Sequence, residues 1–142
     1  MAEATQNELR VRLVTPDQVF IDGTASAVEL PSRSGYLEAL YGHAPLLAEL
    51  GAGEVRIHGG NIGEQQFFVA WGFVEVLPNR VTILAESAVK PETINTTEAQ
   101  QELERGQKMW NEAGEESKRY RDANRVIQEA EERIASASSA GK

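Results

Sequence analysis

The chain has 142 residues, and 41% of them are hydrophobic, which is enough for one buried core and a small appendage. Its net charge is −8, with 22 acidic residues against 14 basic ones, and this balance argues against binding to nucleic acid or to anionic lipid. Cysteine is absent, which excludes disulfides, thiolate catalysis and cysteine-based zinc sites within the chain.

The sequence contains no segment suited to a membrane or to export. No apolar run approaches the roughly 18–20 residues that span a bilayer. The N-terminal residues Met1 to Glu8 are polar and lack the apolar core of a secretion signal. If the protein works at a membrane, we expect another subunit to hold it there.

The first 88 or so residues carry a β pattern. Leu9, Val11 and Leu13 alternate with two arginines, which is typical of a half-buried strand. Similar patterns predict further strands at residues 19–21, 25–30, 54–58, 67–77 and 81–85, and Gly72 indicates a bulge or a close backbone approach in the longest. Turns are predicted at Thr15-Pro16-Asp17, Asp22-Gly23, Gly59-Gly60-Asn61 and Pro78-Asn79. About eight to ten short strands without intervening helices favour an antiparallel β-sandwich or flattened barrel.

The spacing of hydrophobic residues changes at Ile94 from that of a strand to that of a helix. Asn95 is placed to cap a helix, with Glu98 three residues later as in a capping box. Apolar and small residues then recur at alternating spacings of three and four, and Gly114 interrupts them. We therefore predict an α+β chain with a β-sandwich domain at 1–90 and an antiparallel two-helix hairpin at 91–142.

No arrangement of residues in the sequence points to catalysis. The two histidines, His43 and His58, lie in dissimilar contexts without metal-ligand spacing. His43 is expected to shape a turn by bonding the backbone, and His58 to face solvent. The sequence contains neither a phosphate-binding loop nor a nucleophile elbow, so we predict no catalytic residue and no metal site.

A basic turn opens the second predicted helix, in a segment with a net charge of −2 from 10 acids and 8 bases across 94–142. Asp122 is the only acidic residue within this turn. It is either an ordinary solvated helix face or a patch that docks on an acidic partner. Its residues are Lys118, Arg119, Arg121 and Arg125.

Three motifs in a fixed order connect the chain to a known family. They are Gly42-His43-Ala44-Pro45-Leu46, then Gly72-Phe73-Val74-Glu75-Val76, then Val81-Thr82-Ile83-Leu84-Ala85-Glu86. In this order and at these separations they resemble the epsilon subunit of the F-type ATP synthase, which is called delta in mitochondria. The resemblance covers nearly the whole chain, although the tail matches in architecture alone.

The resemblance implies a non-catalytic rotor subunit of the central stalk. In that family the sandwich binds the gamma subunit and the ring of membrane c subunits, and it helps to couple ion flow to ATP synthesis. The helical tail of bacterial members can reach the catalytic head and restrain ATP hydrolysis, and the basic turn would meet an acidic region of the beta subunits. The implied location is the cytoplasmic face of the bacterial cell membrane. The implied contacts on the gamma and c-ring side are Tyr36, Glu38, Tyr41, Gly42, His43 and Trp71.

The loop departs from the family pattern Gly-Glu-Leu-Gly-Ile-Leu-Pro-Gly-His. Tyr36 stands where the acidic residue is usual, so we expect Glu38 or Tyr36 to carry the c-ring contact instead. Trp71 stands where the family usually has glycine. An exposed Trp71 would anchor an interface, whereas a buried one would fill the core.

A further departure concerns nucleotide binding. Some bacterial members bind ATP through an Ile/Leu-Asp-x-x-Arg-Ala motif at the start of the first tail helix. Here Asn95 and Glu98 replace the aspartate and the arginine, and Glu98 would repel phosphate. Arg121 and Arg125 are weak phosphate contacts on their own, so we predict no cofactor and no tight ATP binding.

Two other interpretations use the same residues. One is a free-standing β-sandwich that binds a ligand or acts as an adaptor, with a helical oligomerisation tail; sizing would show a concentration-dependent dimer. The other is a strand-rich enzyme or carbohydrate-binding module. The missing acid–base pair and the alanine-rich hairpin argue against an enzyme.

Overall fold

The computed structural model describes residues 7–140. Most of the N-terminal segment on which the export prediction depends lies outside this range. The chain divides into two compact units, Met1–Val89 and Lys90–Lys142. In the part of the chain that is described, neither helix combines the length and hydropathy needed to cross a bilayer.

The first unit is built from strands that pair into one folded sheet. Seven strands are present in its described residues: β1 Leu9–Val14, β2 Val19–Ala25, β3 Ala27–Ser32, β4 Gly35–Leu40, β5 Leu46–His58, β6 Gln65–Leu77 and β7 Arg80–Val89. Their order across the sheet is β2-β1-β7-β6-β5-β3-β4. All neighbouring pairs are antiparallel except β1 and β7, which run parallel. The inward side chains share one core, with Leu9, Leu30, Leu50 and Ile83 among its fully buried members.

The predicted α+β class is confirmed, but the strands are fewer and longer than the eight to ten expected. β5 and β6 have 13 residues each and pair along nearly their whole length. The predicted close approach at Gly72 is present, because a Cβ there would overlap the Leu84 carbonyl oxygen. Each of these long strands therefore takes the place of two of the short strands that were predicted.

The turn predicted at Asp22-Gly23 is wrong, because both residues lie inside β2. Gly23 is buried beneath the β5–β6 connection, where an added Cβ would lie 2.7 Å from Ile62 Cγ1 and 2.8 Å from Asn61 Oδ1. Asp22 pairs with Arg10 on β1 at 2.7 Å. The glycine provides room for a neighbouring segment, and the chain bends at Ser26, between β2 and β3.

The second unit is a helical hairpin. A short 3₁₀ turn at Pro91–Thr93 precedes α1, Thr96–Asn111, and α2 covers Ser117–Ala140. The predicted cap is present, since the Asn95 side chain accepts a hydrogen bond of 3.1 Å from the Glu98 amide. Small residues dominate the buried seam: Ala99, Gly106, Ala113, Ala123 and Ala130. Trp110 and Tyr120 meet edge to face at 4.7 Å near the connection between the helices.

Candidate partner-binding surfaces

The turn between β4 and β5 is held by backbone hydrogen bonds. The Gly42 amide, at φ +90°, donates to the Pro78 carbonyl over 2.7 Å, which ties this turn to the β6–β7 turn. The His43 amide donates to Leu40 at 3.0 Å, and its ring Nδ1 donates to the Ala44 carbonyl at 2.6 Å. The prediction that His43 shapes a turn through backbone bonds is confirmed. Its role in partner contact stays a prediction.

The other predicted contacts on this segment are exposed. Tyr36 and Tyr41 expose 53% and 46% of their surface, and Glu38 and Gly42 are also exposed. Tyr36 and Glu38 alternate with the more buried Leu37 and Ala39 along the edge strand β4, so they share its outward face. The sequence segment therefore presents its candidate contacts to solvent.

Tyr36 also has a structural role. Its hydroxyl accepts a hydrogen bond of 2.9 Å from the Glu54 amide on β5. The phenol crosses Gly53, where an added Cβ would overlap the hydroxyl. A Tyr36→Phe substitution would therefore remove this bond and leave the exposed ring in place.

Trp71 is not an exposed anchor. Its side chain is 6% exposed, and the Arg33 guanidinium lies 5.7 Å from the ring centroid. Arg33 also approaches Glu49 at 3.6 Å. Of the two interpretations open from the sequence, the structure shows the buried one, and it corrects the placement of Trp71 among the exposed contacts. Trp71 is also the only non-glycine residue with positive φ in 7–140, at 61°.

His58 faces solvent as expected, with 39% of its side chain exposed, but two carboxylates also hold its ring. Its Nε2 lies 2.7 Å from Glu29 Oε2 on β3, and its Nδ1 lies 2.7 Å from Glu64 Oε1. Glu64 also accepts from the Gly59 amide at 2.8 Å, which closes the β5–β6 connection. Hydrogen bonds to Glu64 and then Glu29 raise the pKa of His58, and the bond from His58 lowers the pKa of Glu64. Strand alternation could not reveal this cluster, since Glu29 is brought close only by the register of β3 and β5.

A buried carboxylate lies beside this cluster on β5. Glu54 is 5% exposed, and its Oε1 lies 2.9 Å from Arg56 Nη2. The hydrogen bond to Glu54 raises the pKa of Arg56. Because Arg56 is hydrogen-bonded to this carboxylate within the strand, Glu54 is not an unpartnered acid.

The four residues of the basic turn are all exposed on the first turns of α2. Arg119 Nε lies 3.0 Å from Glu116 Oε2, an exposed pair. Both interpretations of this turn, the solvated face and the docking patch, remain compatible with this geometry.

A cleft at the start of α1 corresponds to the position of the family's nucleotide motif. It is lined by Ile94, Asn95, Glu98, Ala99, Glu102, Glu129 and Arg133. Arg133 is paired with Glu129 at 3.1 Å, and the hydrogen bond from Arg105 lowers the pKa of Glu102. Carboxylates therefore outnumber cations in this lining. Nowhere in residues 7–140 do three metal-ligating side chains form a group that could hold a metal ion.

Comparison with known proteins agrees with the fold. Residues 8–91 match the family model described as the ATP synthase delta/epsilon chain, beta-sandwich domain. An ATP synthase epsilon chain of Koribacter versatilis is 42% identical over 105 residues, which cover 73% of this chain and 72% of that one.

Solved structures share the architecture at lower identity. A chain in the cryo-EM structure of the Euglena gracilis mitochondrial ATP synthase (OSCP, F1 and c-ring) superposes with a TM-score of 0.76 at 19% identity, covering 91% of this chain and 81% of that one. A chain of the Tetrahymena thermophila mitochondrial ATP synthase central stalk and c-ring gives 0.63 at 15% identity, with coverage of 94% and 96%. With the sandwich-domain match and the bacterial relative, the conclusion is that this chain belongs to the ATP synthase delta/epsilon chain family.

Proposed function

We propose that the chain is a non-catalytic rotor subunit of the central stalk, which couples ion flow through the c-ring to ATP synthesis in the catalytic head. The observation that carries this proposal is the match of residues 8–91 to the sandwich domain of the family, supported by 42% identity to a bacterial epsilon chain. The central-stalk and c-ring assembly named for one solved relative supports the placement.

The proposal assigns a different partner to each unit. The sandwich binds gamma and the c-ring, and the β4–β5 turn with Tyr36, Glu38, Tyr41, Gly42 and His43 lies on that side. The hairpin reaches the alpha and beta subunits of the catalytic head through its basic turn and restrains ATP hydrolysis. In this proposal the chain is located at the cytoplasmic face of the bacterial cell membrane, where the other subunits hold it.

The test is ATP hydrolysis by a catalytic head that contains gamma but lacks this chain. We expect full-length chain to slow hydrolysis, and a form ending at residue 90 to bind without slowing it. Equal effects of the two forms would contradict a restraining role for the hairpin. Failure of both forms to bind would contradict the rotor assignment itself.

Substitutions in the basic turn provide a more specific test of docking on the catalytic head. Arg119→Ala with Arg121→Ala and Arg125→Ala should weaken docking on an acidic head surface by about 1–2 kcal/mol, because each exposed ion pair contributes up to about 1 kcal/mol. Hydrolysis should rise while gamma binding stays intact. Arg105→Ala with Lys108→Ala, which removes two charges from α1, is the matched control and should leave inhibition unchanged. Loss of gamma binding in the triple variant would contradict docking through this turn.

We further propose that the isolated chain does not bind ATP tightly. The cleft at the start of α1 presents Glu98, Glu102 and Glu129, and its one lining cation, Arg133, is already paired. Carboxylates at this density repel a triphosphate. Isothermal calorimetry should show no saturable binding, and a micromolar dissociation constant would contradict the proposal.

A further inference from the structure

The connection between β5 and β6 lies against the edge strand β2. It consists of residues 59–64, which we call the strap. The Asn61 side chain accepts a hydrogen bond of 2.8 Å from the Thr24 amide, and the Asn61 amide donates to the Thr24 hydroxyl at 3.1 Å. The Ile62 amide donates to the Thr24 carbonyl at 3.3 Å. The strap therefore occupies backbone groups of an edge strand that a further strand could otherwise pair with.

Glycines allow the strap to approach β2 this closely. An added Cβ at Gly60 would overlap the Thr24 carbonyl oxygen, and one at Gly23 would lie 2.7 Å from Ile62 Cγ1. Ile62 is half-buried and packs against the core of the sandwich. The strap thus fits into a gap that depends on a glycine on each side of the contact.

A second attachment holds the ends of the strap through charge. His58, the last residue of β5, has its Nε2 2.7 Å from Glu29 on β3 and its Nδ1 2.7 Å from Glu64, the last residue of the strap. Glu64 also accepts a hydrogen bond of 2.8 Å from the Gly59 amide, so one carboxylate joins both ends of the strap. Donation to Glu29 and Glu64 together requires a proton on each ring nitrogen.

Other charged groups lie on the strands around this attachment. They are Arg10 and Asp22, which pair at 2.7 Å, Glu54 and Arg56, which pair at 2.9 Å, and Glu38, which is in register with Glu29. The charged groups whose bonds hold the strap are His58 and Glu64.

Loss of one proton from His58 removes one of its two donated bonds. The neutral ring donates from one nitrogen, and its other nitrogen turns a lone pair toward a carboxylate. Glu64 exposes 72% of its side chain and Glu29 exposes 34%, so water can solvate Glu64 more readily. We expect the neutral ring to keep Glu29 and to release Glu64. Hydrogen bonds to Glu64 and then Glu29 raise the pKa of His58, so this release occurs above the ordinary titration range of histidine.

We propose that the strap is a pH-sensitive closure of the β2 edge, which the His58 imidazolium holds shut and the neutral ring allows to open while the sheet stays folded. Opening frees the amide and carbonyl of Thr24 and uncovers the gap at Gly23. The strap follows the C-terminal end of β5, whereas the β4–β5 turn precedes its N-terminal end. The closure is therefore separate from the contacts assigned to that turn, and it is independent of the proposed function.

Amide hydrogen exchange of the full-length chain, resolved by NMR at pH 6 and pH 9 and at several low urea concentrations, tests this closure. Rates are converted to protection factors, which removes the intrinsic rise of exchange with pH. The amides of Thr24 and Ile62 should exchange through a local opening that urea hardly affects, whereas amides of the central strands should require global unfolding and depend steeply on urea. From pH 6 to pH 9 the protection of Thr24 and Ile62 should fall about two- to fivefold, the range of an exposed ion pair.

Three variants separate the two attachments. His58→Gln should give low strap protection at both pH values, because glutamine carries no titrating proton. Asn61→Ala removes bonds that do not titrate, so it should lower protection at both pH values and keep the change between them. His43→Gln is the matched control, since the His43 ring bonds to a backbone carbonyl in another turn, and it should leave the pH change of the strap intact.

Three results would overturn the inference. The first is a wild-type strap whose protection is the same at both pH values. The second is a strap that shares the protection and the urea dependence of the central strands, because it would then open only with the whole sheet. The third is a pH change of wild-type size in folded His58→Gln, which would assign the change to another group. Each of these results leaves the rotor assignment unaffected.

Discussion

At the scale of single residues, Trp71 combines a strained backbone with a buried ring. Its φ of 61° lies in the left-handed region, which disfavours a residue with a Cβ by about 1–2 kcal/mol. Loss of a buried tryptophan side chain costs about 3–5 kcal/mol. Burial is therefore the larger effect, and the ring stabilises a backbone conformation that glycine would adopt without strain.

This balance between burial and strain predicts the relative stability of two variants of Trp71. Trp71→Gly and Trp71→Ala should both destabilise the sandwich by several kcal/mol, because both lose the ring. The glycine variant should be the more stable of the two by about 0.5–1 kcal/mol, because it relieves the backbone strain. The greater freedom of glycine in the unfolded chain offsets part of this gain. Urea unfolding measures both values. An alanine variant at least as stable as the glycine variant would contradict strain at this position.

The His58 cluster predicts a pH dependence of stability. Donation from both ring nitrogens to Glu29 and Glu64 requires the imidazolium, and the pKa of His58 is raised accordingly. Its stabilising effect is complete below the unfolded pKa of about 6.5 and is lost as pH rises through the folded pKa. The lowered pKa of Glu64 has the opposite sign, since its contribution is present above its unfolded pKa and fades as pH falls.

We therefore expect His58→Gln to lower the melting temperature more at pH 6 than at pH 9, because the imidazolium that can donate to both carboxylates becomes less populated as pH rises through its raised pKa. Arg56 and Glu54 lie beside the cluster and are paired with each other at 2.9 Å. Thermal unfolding of both proteins at the two pH values is the measurement. A difference in melting temperature that is the same at both pH values would contradict an ionised cluster.

At the scale of elements, the hairpin depends on the absence of a side chain at Gly106. A Cβ there would lie 2.7 Å from Ile127 Cγ1 and 3.1 Å from the Ile127 amide nitrogen. That nitrogen belongs to the backbone of α2, so it can move only if the helices separate. The small-residue seam thus sets how closely the two helices approach.

Gly106→Ala tests this seam. Alanine favours a helix over glycine by about 1 kcal/mol, but overpacking costs typically 1–3 kcal/mol. We expect a net loss of about 1 kcal/mol in the stability of the hairpin. Thermal unfolding, monitored by the fluorescence of Trp110, measures this loss. Gln107→Ala, at an exposed position of α1, should change stability by less than about 0.5 kcal/mol. A stabilised Gly106→Ala would mean that the helices can separate freely.

The elements also show where sequence patterns suffice and where they fail. The α1 cap at Asn95 and the small-residue spacing were predictable, because both depend on residues within a few positions of each other. The turn at Asp22-Gly23 was mispredicted because Gly23 is required by Ile62, which approaches from a distant segment. Strand register likewise brings together residues that are distant in sequence, since it places Leu84 between Phe73 and Val14.

At the scale of the whole molecule, charge and fold are distributed unequally. Residues 1–93 hold 12 acids and 6 bases, a balance of −6, while residues 94–142 carry only −2. The family could be predicted from three motifs, and the α+β class from strand alternation followed by a helical period from Ile94 onward. Partner contacts could not be predicted equally well, since exposure of side chains such as Tyr36 and Trp71 depends on packing across strands.

The parallel pairing of β1 with β7 has a consequence for synthesis. Because Arg10 pairs with Arg80, the first strand made must wait for the last strand of the sheet before it acquires its second neighbour. Such distant pairing slows folding. β7 leaves the ribosome while the helices are still being translated or lie in the exit tunnel. The order of translation therefore allows the sheet to close before the helical hairpin is complete.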